Sequence, residues 1–210
     1  MYEFILLLFA YLLGSIPTAV WVSKYFFDID IRNYGSGNAG ATNTFRILGT
    51  KAGSFVFFVD MLKGFLAVDL AYFIAKYQMD SMALTNFQVV LGIAAVVGHI
   101  FPIWANFKGG KGIATLFGMI LAIQPIVAVC LVVVFMIMLF MTRYVSLSSI
   151  TASIAFPVII FFVFREPEIM YRIFALATAI LVVLTHQKNI NRLLSGNENK
   201  VPLFKKKEKE

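Results

Sequence analysis

Cysteine and charged residues are scarce in this sequence, and each scarcity excludes a class of protein. The 210 residues include one cysteine, Cys130, which excludes an intramolecular disulfide and argues against a cysteine metal cluster. Charged residues make up 14% of the chain, whereas soluble domains carry roughly 25%. Hydrophobic residues make up 60%, and the mean hydropathy is +0.84. The composition therefore predicts an all-α, polytopic membrane protein.

A metal-ligand pattern and a basic amino-terminal stretch are also missing. The two histidines and the carboxylates have no compact ligand spacing, so neither a metal nor another cofactor is expected. Hydrophobicity begins at Phe4 without a basic stretch before it, so we expect the first segment to remain in the mature protein. The net charge of +7 lies in residues that flank apolar segments. This placement indicates membrane orientation and anionic substrates, and no nucleic-acid partner.

Seven apolar segments are candidates for transmembrane helices, each of which needs about 20 residues or somewhat fewer. They are residues 2–25, 54–77, 84–104, 112–123, 126–142, 146–164 and 169–186. As one helix, residues 113–142 would be about 45 Å long, well beyond a hydrocarbon core of about 30 Å. We predict a break at Gln124–Pro125, because the residue before proline disfavours the helical conformation. Two of the seven helices are therefore short or broken.

The basic residues predict the orientation of these helices. With the amino terminus outside, fourteen lysines and arginines face the cytoplasm and three (Lys76, Arg165 and Arg172) face outward. The carboxyl terminus is then cytoplasmic, and residues 1–200 form a single integral-membrane domain. Residues 201–210 form a basic, disordered tail that is drawn to anionic lipid. This topology gathers four polar clusters at the cytoplasmic face of a bacterial inner membrane: residues 36–46, 108–112, 143–149 and 186–200.

A glycine-rich polar run at residues 35–43, followed by Arg46, comes directly after the first predicted span. Closely spaced N–H groups, side-chain amides and a cation suit a backbone that wraps an anion. If the run becomes helical after Gly40, four side chains share one face: Asn38, Thr42, Asn43 and Arg46. The alternative is a capping turn for a short interfacial helix.

A second glycine-rich segment, residues 107–112, precedes an apolar helix. Glycines that enter a helix expose N–H donors at the positive end of the helix dipole, and Lys111 adds a full charge. The segment is not a P-loop, because Ala105 and Gly112 stand where that motif needs a glycine and a hydroxyl. The alternative is a flexible basic turn that follows the positive-inside rule.

The remaining polar candidates are two histidines, one charged pair and an arginine with two nearby serines. His186 and Asn189 are three residues apart at the inner end of the last span, where histidine can act as a general base or simply cap the helix. Asp60 and Lys63 are spaced to form an intramembrane ion pair. For His99, which lies within a span, we favour a satisfied buried imidazole over a functional role. A further cation with hydroxyls is formed by Arg143, Ser146 and Ser149.

Six motifs occur in order along the chain and resemble those of the bacterial acyl-phosphate:glycerol-3-phosphate acyltransferases. They lie at residues 14–17, 35–46, 60–64, 98–115, 143–147 and 186–193. The resemblance spans about residues 14–200. One departure is Ala19, where the first motif often has glycine.

The resemblance implies transfer of a fatty acyl group from acyl phosphate to the 1-hydroxyl of glycerol 3-phosphate, giving lysophosphatidic acid and phosphate. It implies an upstream enzyme that forms acyl phosphate as a possible partner. By matching motifs, catalytic roles fall to His186, Asn189, Lys111 and Arg46. Substrate-binding roles fall to Ser36, Gly37, Asn38, Asn43, Gly109, Gly110, Arg143 and Ser146. The His-x-x-x-x-Asp motif of the other glycerol-phosphate acyltransferase class is absent, because Trp104 and Asn191 follow the two histidines at that spacing.

Two other functions compete with acyl transfer: transport of a small organic anion and hydrolysis of a lipid phosphate. A transporter or channel for a small organic anion would be expected to show inverted repeats and polar breaks at mid-membrane, whereas this chain has no evident repeat. A lipid phosphatase would also handle phosphate at a membrane. Phosphate release that does not require glycerol 3-phosphate would distinguish the phosphatase.

Overall fold

A computed structural model describes residues 2–74 and 82–201 of the chain. Within these ranges every regular element is helical, which confirms the all-α prediction. Lys76 and residues 202–210, which include nearly all of the predicted tail, lie outside the described residues.

Nine α-helices are present in the described residues. They are α1 (Tyr2–Gly14), α2 (Thr18–Phe27), α3 (Ala41–Asp69), α4 (Met82–Ile100), α5 (Ile113–Ile123), α6 (Pro125–Thr142), α7 (Val145–Val158), α8 (Ile169–Thr185) and α9 (Gln187–Leu194). Short 3-10 turns occupy Ile31–Asn33, Leu70–Phe73 and Ile103–Ala105, and a π-helical turn at Ile159–Val163 extends α7.

Three to five of these segments are long and apolar enough to cross a membrane. The three clear spans are Met82–Ala105, Pro125–Thr142 and Val145–Val163. Two bent pairs add up to two more: α1 with α2, bent by 40°, and α8 with α9, bent by 62°. Helix α5 is apolar but shorter. The chain is thus a multi-pass membrane protein, and the seven-helix count and the orientation of the termini stay predictions.

Prolines determine two of the helix boundaries. The predicted break at Gln124–Pro125 is confirmed: Gln124 leaves the helical conformation at φ −140° and ψ 84°, and α6 begins at Pro125. The first predicted span was drawn without an interruption, but the chain breaks between α1 and α2 just before Pro17. The same steric conflict between proline and the preceding residue explains both breaks.

Helix α3 begins earlier than the span predicted at residue 54. Its amino-terminal cap is Gly40, which is extended at φ −143°. The prediction that the glycine-rich run becomes helical after Gly40 is therefore confirmed. Gly49 interrupts the regular conformation at φ +83°, so the first two turns of α3 are offset from the rest by a kink.

The chain divides into two compact units, residues 1–128 and 129–210. In the first unit, α3 and α5 approach closely because both carry glycine at the contact. A Cβ on Gly64 would clash with the carbonyl oxygen of Thr115, and one on Gly118 would clash with that of Met61. Small residues at such contacts let membrane helices pack backbone to backbone.

Aromatic side chains pack α7 against α8 in the second unit. The ring of Phe156 lies edge-on to Tyr171 and to Phe174, with centroid distances of 5.9 and 5.7 Å. All three side chains are buried. This packing holds together α7, whose amino-terminal end carries Ser146, and α8, whose carboxyl-terminal end leads to His186 and Asn189.

Candidate active site

The glycine-rich run of the first unit is an ordered loop that leads into α3. Gly35 and Gly37 both have positive φ, at 60° and 73°, which is a conformation that glycine adopts without strain. The N–H of Gly37 donates to the carbonyl of Tyr34 at 3.0 Å, closing a tight turn. The two glycines and this hydrogen bond therefore define the shape of the loop.

Asn43 holds this loop from inside. Its side chain is 2% exposed. Its Nδ2 donates to the carbonyls of Ile31 and Tyr34 at 3.1 and 2.9 Å, and its Oδ1 accepts the N–H of Ser36 at 2.9 Å. Its amide is therefore directed into the loop, whereas Thr42 and Arg46 are exposed. Its contacts are those of a residue that shapes the loop.

The exposed face of the α3 amino terminus carries Thr42 and Arg46, one helical turn apart. The first N–H groups of a helix have no acceptor within it. Within the described residues, the N–H groups of Ala41 and Thr42 have no acceptor, whereas those of Asn43 and Thr44 donate to the carbonyl of Gly40. Two backbone donors and a nearby guanidinium make this face suitable for an anion.

The second loop, residues 105–112, is pinned to the carboxyl-terminal end of α4. The N–H of Gly109 donates to the carbonyl of Ile100, and that of Gly110 donates to the carbonyl of His99, at 3.1 and 3.2 Å. Asn106 and Phe107 both take the left-handed conformation, at φ 54° and 57°. The loop therefore turns sharply at these two residues before it enters α5.

Lys111 stands half-buried at the start of α5. The helix cap is Gly112, in the left-handed region at φ 82°. In the described part of the chain, the N–H groups of Gly112, Ile113 and Ala114 have no protein acceptor. The predicted combination of glycines, helix dipole and lysine is thus present at the amino terminus of α5.

The two loops of the first unit contact each other. A Cβ on Gly110 would lie 3.0 Å from the carbonyl oxygen of Ala39, a tight contact, so the backbones of the two loops lie close together here. Arg32, which precedes the first loop, donates from Nη1 to the carbonyl of Ala105 at 3.0 Å. The two loops are therefore in contact: Lys111 lies in the second loop, and Arg46 lies in α3 just after the first.

Asp30 holds Arg32 in place for this contact. The Arg32 Nε and Nη2 atoms lie 2.9 and 2.6 Å from the two carboxylate oxygens, and Lys24 Nζ lies 3.5 Å away. The hydrogen-bonded Arg32 guanidinium holds the pKa of Asp30 well below its usual range. Asp30 is thus an anion that orients a cation toward the second loop.

A buried ion pair lies beneath the loops, as the spacing of Asp60 and Lys63 predicted. Lys63 Nζ is 2.8 Å from Asp60 Oδ1, and both side chains are almost wholly buried. His99 is buried as well, with Nδ1 3.6 Å from the same Asp60 oxygen. The expected burial of His99 is confirmed, and its Nδ1 faces the Asp60 carboxylate just beyond hydrogen-bond length.

In the second unit, Ser146 and Asn189 share one carboxylate. Ser146 Oγ and Asn189 Nδ2 both donate to Oε1 of Glu198, at 3.0 and 2.8 Å. Arg192 Nε lies 3.0 Å from the other oxygen of Glu198, whose side chain is 5% exposed. The motifs assign both residues to the site separately, and in the structure a carboxylate joins them.

His186 is buried at the junction of α8 and α9, with its ring orientation fixed. Its Nδ1 lies 2.8 Å from the carbonyl of Val182, one turn earlier. A carbonyl oxygen can only accept, so Nδ1 carries the proton, and Nε2 is the accepting nitrogen of the neutral ring. Fixing one nitrogen in this way defines the chemistry available to the other.

Arg143 lies exposed between α6 and α7, in the left-handed region at φ 63°. Its carbonyl accepts the N–H of Val201 at 2.9 Å, and Lys200 Nζ lies 5.4 Å from the ring centre of Tyr144. The segment after α9 therefore folds back on the start of α7. Within residues 2–74 and 82–201, no group of three His, Cys, Asp or Glu side chains could hold a metal ion.

Comparisons with known proteins place the chain in a family. The family model described as glycerol-3-phosphate acyltransferase matches residues 4–196. A glycerol-3-phosphate acyltransferase of Macrococcus caseolyticus is 46% identical over 96% of this chain and 98% of that protein. One of Fusobacterium nucleatum is 40% identical over 94% and 97%. The chain belongs to the glycerol-3-phosphate acyltransferase family.

Solved structures agree with this membership. The crystal structure of PlsY, an integral membrane glycerol 3-phosphate acyltransferase, in its glycerol 3-phosphate form has a TM-score of 0.85 and 40% identity, covering 96% of each chain. The lysophosphatidic acid form of PlsY has a TM-score of 0.82 and 38% identity, with the same coverage. The family resemblance drawn from the six motifs is confirmed.

Within this acyltransferase, Glu198 and Arg32 are the polar residues that sequence reasoning missed. Glu198 is a carboxylate in a basic segment, and that segment was interpreted only through its charge and position. Arg32 was counted only as a cytoplasmic cation. The signal for Arg32 was present in the sequence, since Asp30 stands two residues before it and precedes the glycine-rich run.

Proposed function

We propose that this protein transfers a fatty acyl group from acyl phosphate to the 1-hydroxyl of sn-glycerol 3-phosphate. The products are lysophosphatidic acid and inorganic phosphate, an early step of bacterial phospholipid synthesis. The observation that carries the proposal is the contact between two preformed loops, each with a cation beside the amino terminus of a helix. Both substrates carry a phosphate, and two adjacent sites suited to anions match that requirement.

The donor follows from chemistry that needs no protein nucleophile. An acyl phosphate is an activated mixed anhydride, so the substrate hydroxyl oxygen can attack the carbonyl carbon directly. The bond between that carbon and the phosphate oxygen then breaks, and phosphate leaves. Positioning of the two substrates and stabilisation of the tetrahedral oxyanion supply the catalysis.

In the first unit we assign Arg46 and Lys111 to neutralise substrate phosphate. Ser36, Gly37, Asn38, Gly109 and Gly110 form the loops around them, and Asn43 shapes the first loop from inside. The similar proteins are glycerol-3-phosphate acyltransferases, which supports glycerol 3-phosphate as the acceptor. The lysophosphatidic acid form of PlsY supports the product.

The resemblance assigns His186, Asn189, Arg143 and Ser146 of the second unit to the same reaction, and these roles stay predictions. Our hypothesis is that a substrate phosphate oxygen takes the hydroxyl proton and that His186 orients groups through Nε2. Two results for His186→Gln would instead identify His186 as the base. The variant would bind both substrates without turnover, and its pH profile would lack the acidic limb.

We further propose a single integral-membrane domain of seven helices, with the amino terminus outside and the active residues facing the cytoplasm. The protein would lie in the bacterial inner membrane, and an upstream enzyme that forms acyl phosphate would provide the donor. The charge distribution along the sequence supports this orientation.

The reaction is tested with purified protein in detergent or lipid. Acyl phosphate and glycerol 3-phosphate are added, and both phosphate and lysophosphatidic acid are measured. We expect both products in equal amounts and only when both substrates are present. Phosphate release without glycerol 3-phosphate would indicate a phosphatase, and no release at all would return transport to consideration.

Removal of either cation, Arg46 or Lys111, should greatly reduce turnover. We expect Lys111→Ala and Arg46→Ala each to lower kcat/KM by about 100-fold or more, as for loss of one group that stabilises developing charge. Lys51→Ala is the matched control, since Lys51 is an exposed cation on the same helix as Arg46. Near-normal activity in either folded variant would contradict the assignment of two phosphates to the two loops.

A further inference from the structure

The buried charges of the first unit form a cluster that joins three helices. Asp60 Oδ1 accepts hydrogen bonds from Lys63 Nζ and from Thr18 Oγ1, at 2.8 and 3.0 Å. Lys63 Nζ also donates to the carbonyl of Ile16 at 3.0 Å. The cluster therefore links α3 to the break between α1 and α2, and His99 of α4 faces the same carboxylate oxygen.

His99 connects this cluster to the second loop. Its Nδ1 side faces Asp60, and its Nε2 side lies against the Cα of Gly110, where an added Cβ would clash with the ring. The carbonyl of His99 also accepts the N–H of Gly110. One residue, 6% exposed, thus contacts the buried charges with one edge and the loop that carries Lys111 with the other.

The energetics indicate that the cluster has a geometric role. Removing charges from water is unfavourable, and a buried ion pair often stabilises a protein no more than apolar residues of similar volume. An ion pair does impose a defined distance and direction on its neighbours, which apolar packing imposes less strictly. The pair lies where α3, the break between α1 and α2, and α4 meet.

We propose that His99 is a positioning residue for the loop of residues 105–112, and that its ring packs between Gly110 and the Asp60 carboxylate, which Lys63 and Thr18 hold in place. The proposal rests on the proposed function, in which this loop binds a substrate phosphate. His99 acts through the loop and touches no substrate.

Two amide substitutions separate the two edges of the ring. The side chain of His99→Asn ends where Nδ1 lies, beside Asp60, but does not reach Gly110. The side chain of His99→Gln extends to the position of Nε2 and retains the contact with the loop. We expect His99→Asn to raise the KM for glycerol 3-phosphate or acyl phosphate and to lower kcat/KM by about 10- to 100-fold, as a misplaced substrate would. His99→Gln should retain most of the activity.

A double substitution tests the contact itself. Gly110→Ala alone should displace the loop, because its methyl group meets the imidazole. His99→Asn provides room for that methyl group, so the double variant should be less impaired than the sum of the two single effects requires. Additive losses would show that the ring and the loop do not act through their contact.

Stability controls separate positioning from general damage. Val89→Ala removes a buried side chain from the same helix, about 15 Å along its axis from His99. It should lower the Tm without changing either KM. The positioning role would be overturned if His99→Asn and His99→Gln lost equal activity in proportion to their loss of Tm. It would also be overturned if both variants kept wild-type KM values.

The wild-type protein, measured beside these variants, distinguishes failure of the positioning role from failure of the proposed function. If it forms lysophosphatidic acid and the Asn and Gln variants behave alike, only the positioning role fails. If the wild-type protein neither turns over nor shows a rise in Tm with glycerol 3-phosphate, the proposed function fails and the positioning role fails with it.

Discussion

Asn43 satisfies three polar groups of the glycine-rich loop with one buried amide. It donates to the carbonyls of Ile31 and Tyr34 and accepts the N–H of Ser36. A loop with two glycines at positive φ has few other restraints, so its shape depends on this side chain. We therefore expect Asn43 to act indirectly, by shaping the loop that leads into the helix of Arg46.

Replacement of Asn43 should separate loop shape from charge. We expect Asn43→Ala to lower kcat/KM for glycerol 3-phosphate by about 10- to 100-fold although both cations remain. One buried and two partly buried backbone groups lose their partner, so the free energy of unfolding should also fall by about 1 to 3 kcal/mol. Steady-state kinetics and thermal unfolding measure the two effects. Thr50→Ala, an exposed position on α3, serves as the control, and wild-type kinetics in folded Asn43→Ala would rule out the shaping role.

At the scale of elements, the segment between α2 and α3 determines how the two loops meet. Asp30 aligns Arg32, and Arg32 reaches the carbonyl of Ala105 in the second loop. The contact between Ala39 and Gly110 completes the junction. Arg32 thus connects the chain before the first loop to the second loop, although 73 positions separate Arg32 from Ala105.

The ion pair between Asp30 and Arg32 predicts that the stability of the protein depends on pH in the acidic range. Its folded-state pKa lies well below the unfolded value of about 3.9 because Arg32 stabilises the carboxylate. Stability from this pair is therefore fully present above about pH 4 and is lost as the pH falls further, since the unfolded state then takes up the proton first. The difference in Tm between wild type and Asp30→Asn should shrink below about pH 4. A difference that stays constant from pH 7 to pH 3 would exclude this linkage.

At the scale of the whole molecule, membrane orientation is the prediction with the widest consequences. The polar residues of both units are expected at the cytoplasmic face, because most lysines and arginines lie in the segments that carry them. Acyl phosphate and glycerol 3-phosphate are then taken from the cytoplasm.

Cysteine labelling checks the orientation, since the chain has one cysteine to remove. In a Cys130→Ala background, Ser195→Cys should react with a membrane-impermeant maleimide only from the cytoplasmic side. Pro167→Cys, in the exposed turn before α8, should react only from the outside. Labelling of both positions from the same side would refute the predicted parity of spans.

Local patterns in the sequence were sufficient for several elements of the fold. Hydrophobic composition indicated a helical membrane protein, Pro125 indicated the break before α6, and the glycine run indicated the start of α3. The ion pair of Asp60 and Lys63 followed from their spacing on one helix. Each of these features depends on residues within a few positions of one another, so the sequence alone determines them.

Tertiary structure decided the features that depend on distant residues. The chain had to fold before Gly110 could lie against His99 and Ala39, and before Glu198 could join Ser146 across 52 positions. The inward direction of Asn43 likewise depends on where the carbonyls of Ile31 and Tyr34 come to lie. A residue type specifies which hydrogen bonds a side chain can make, but only the packing of helices brings its partners within reach.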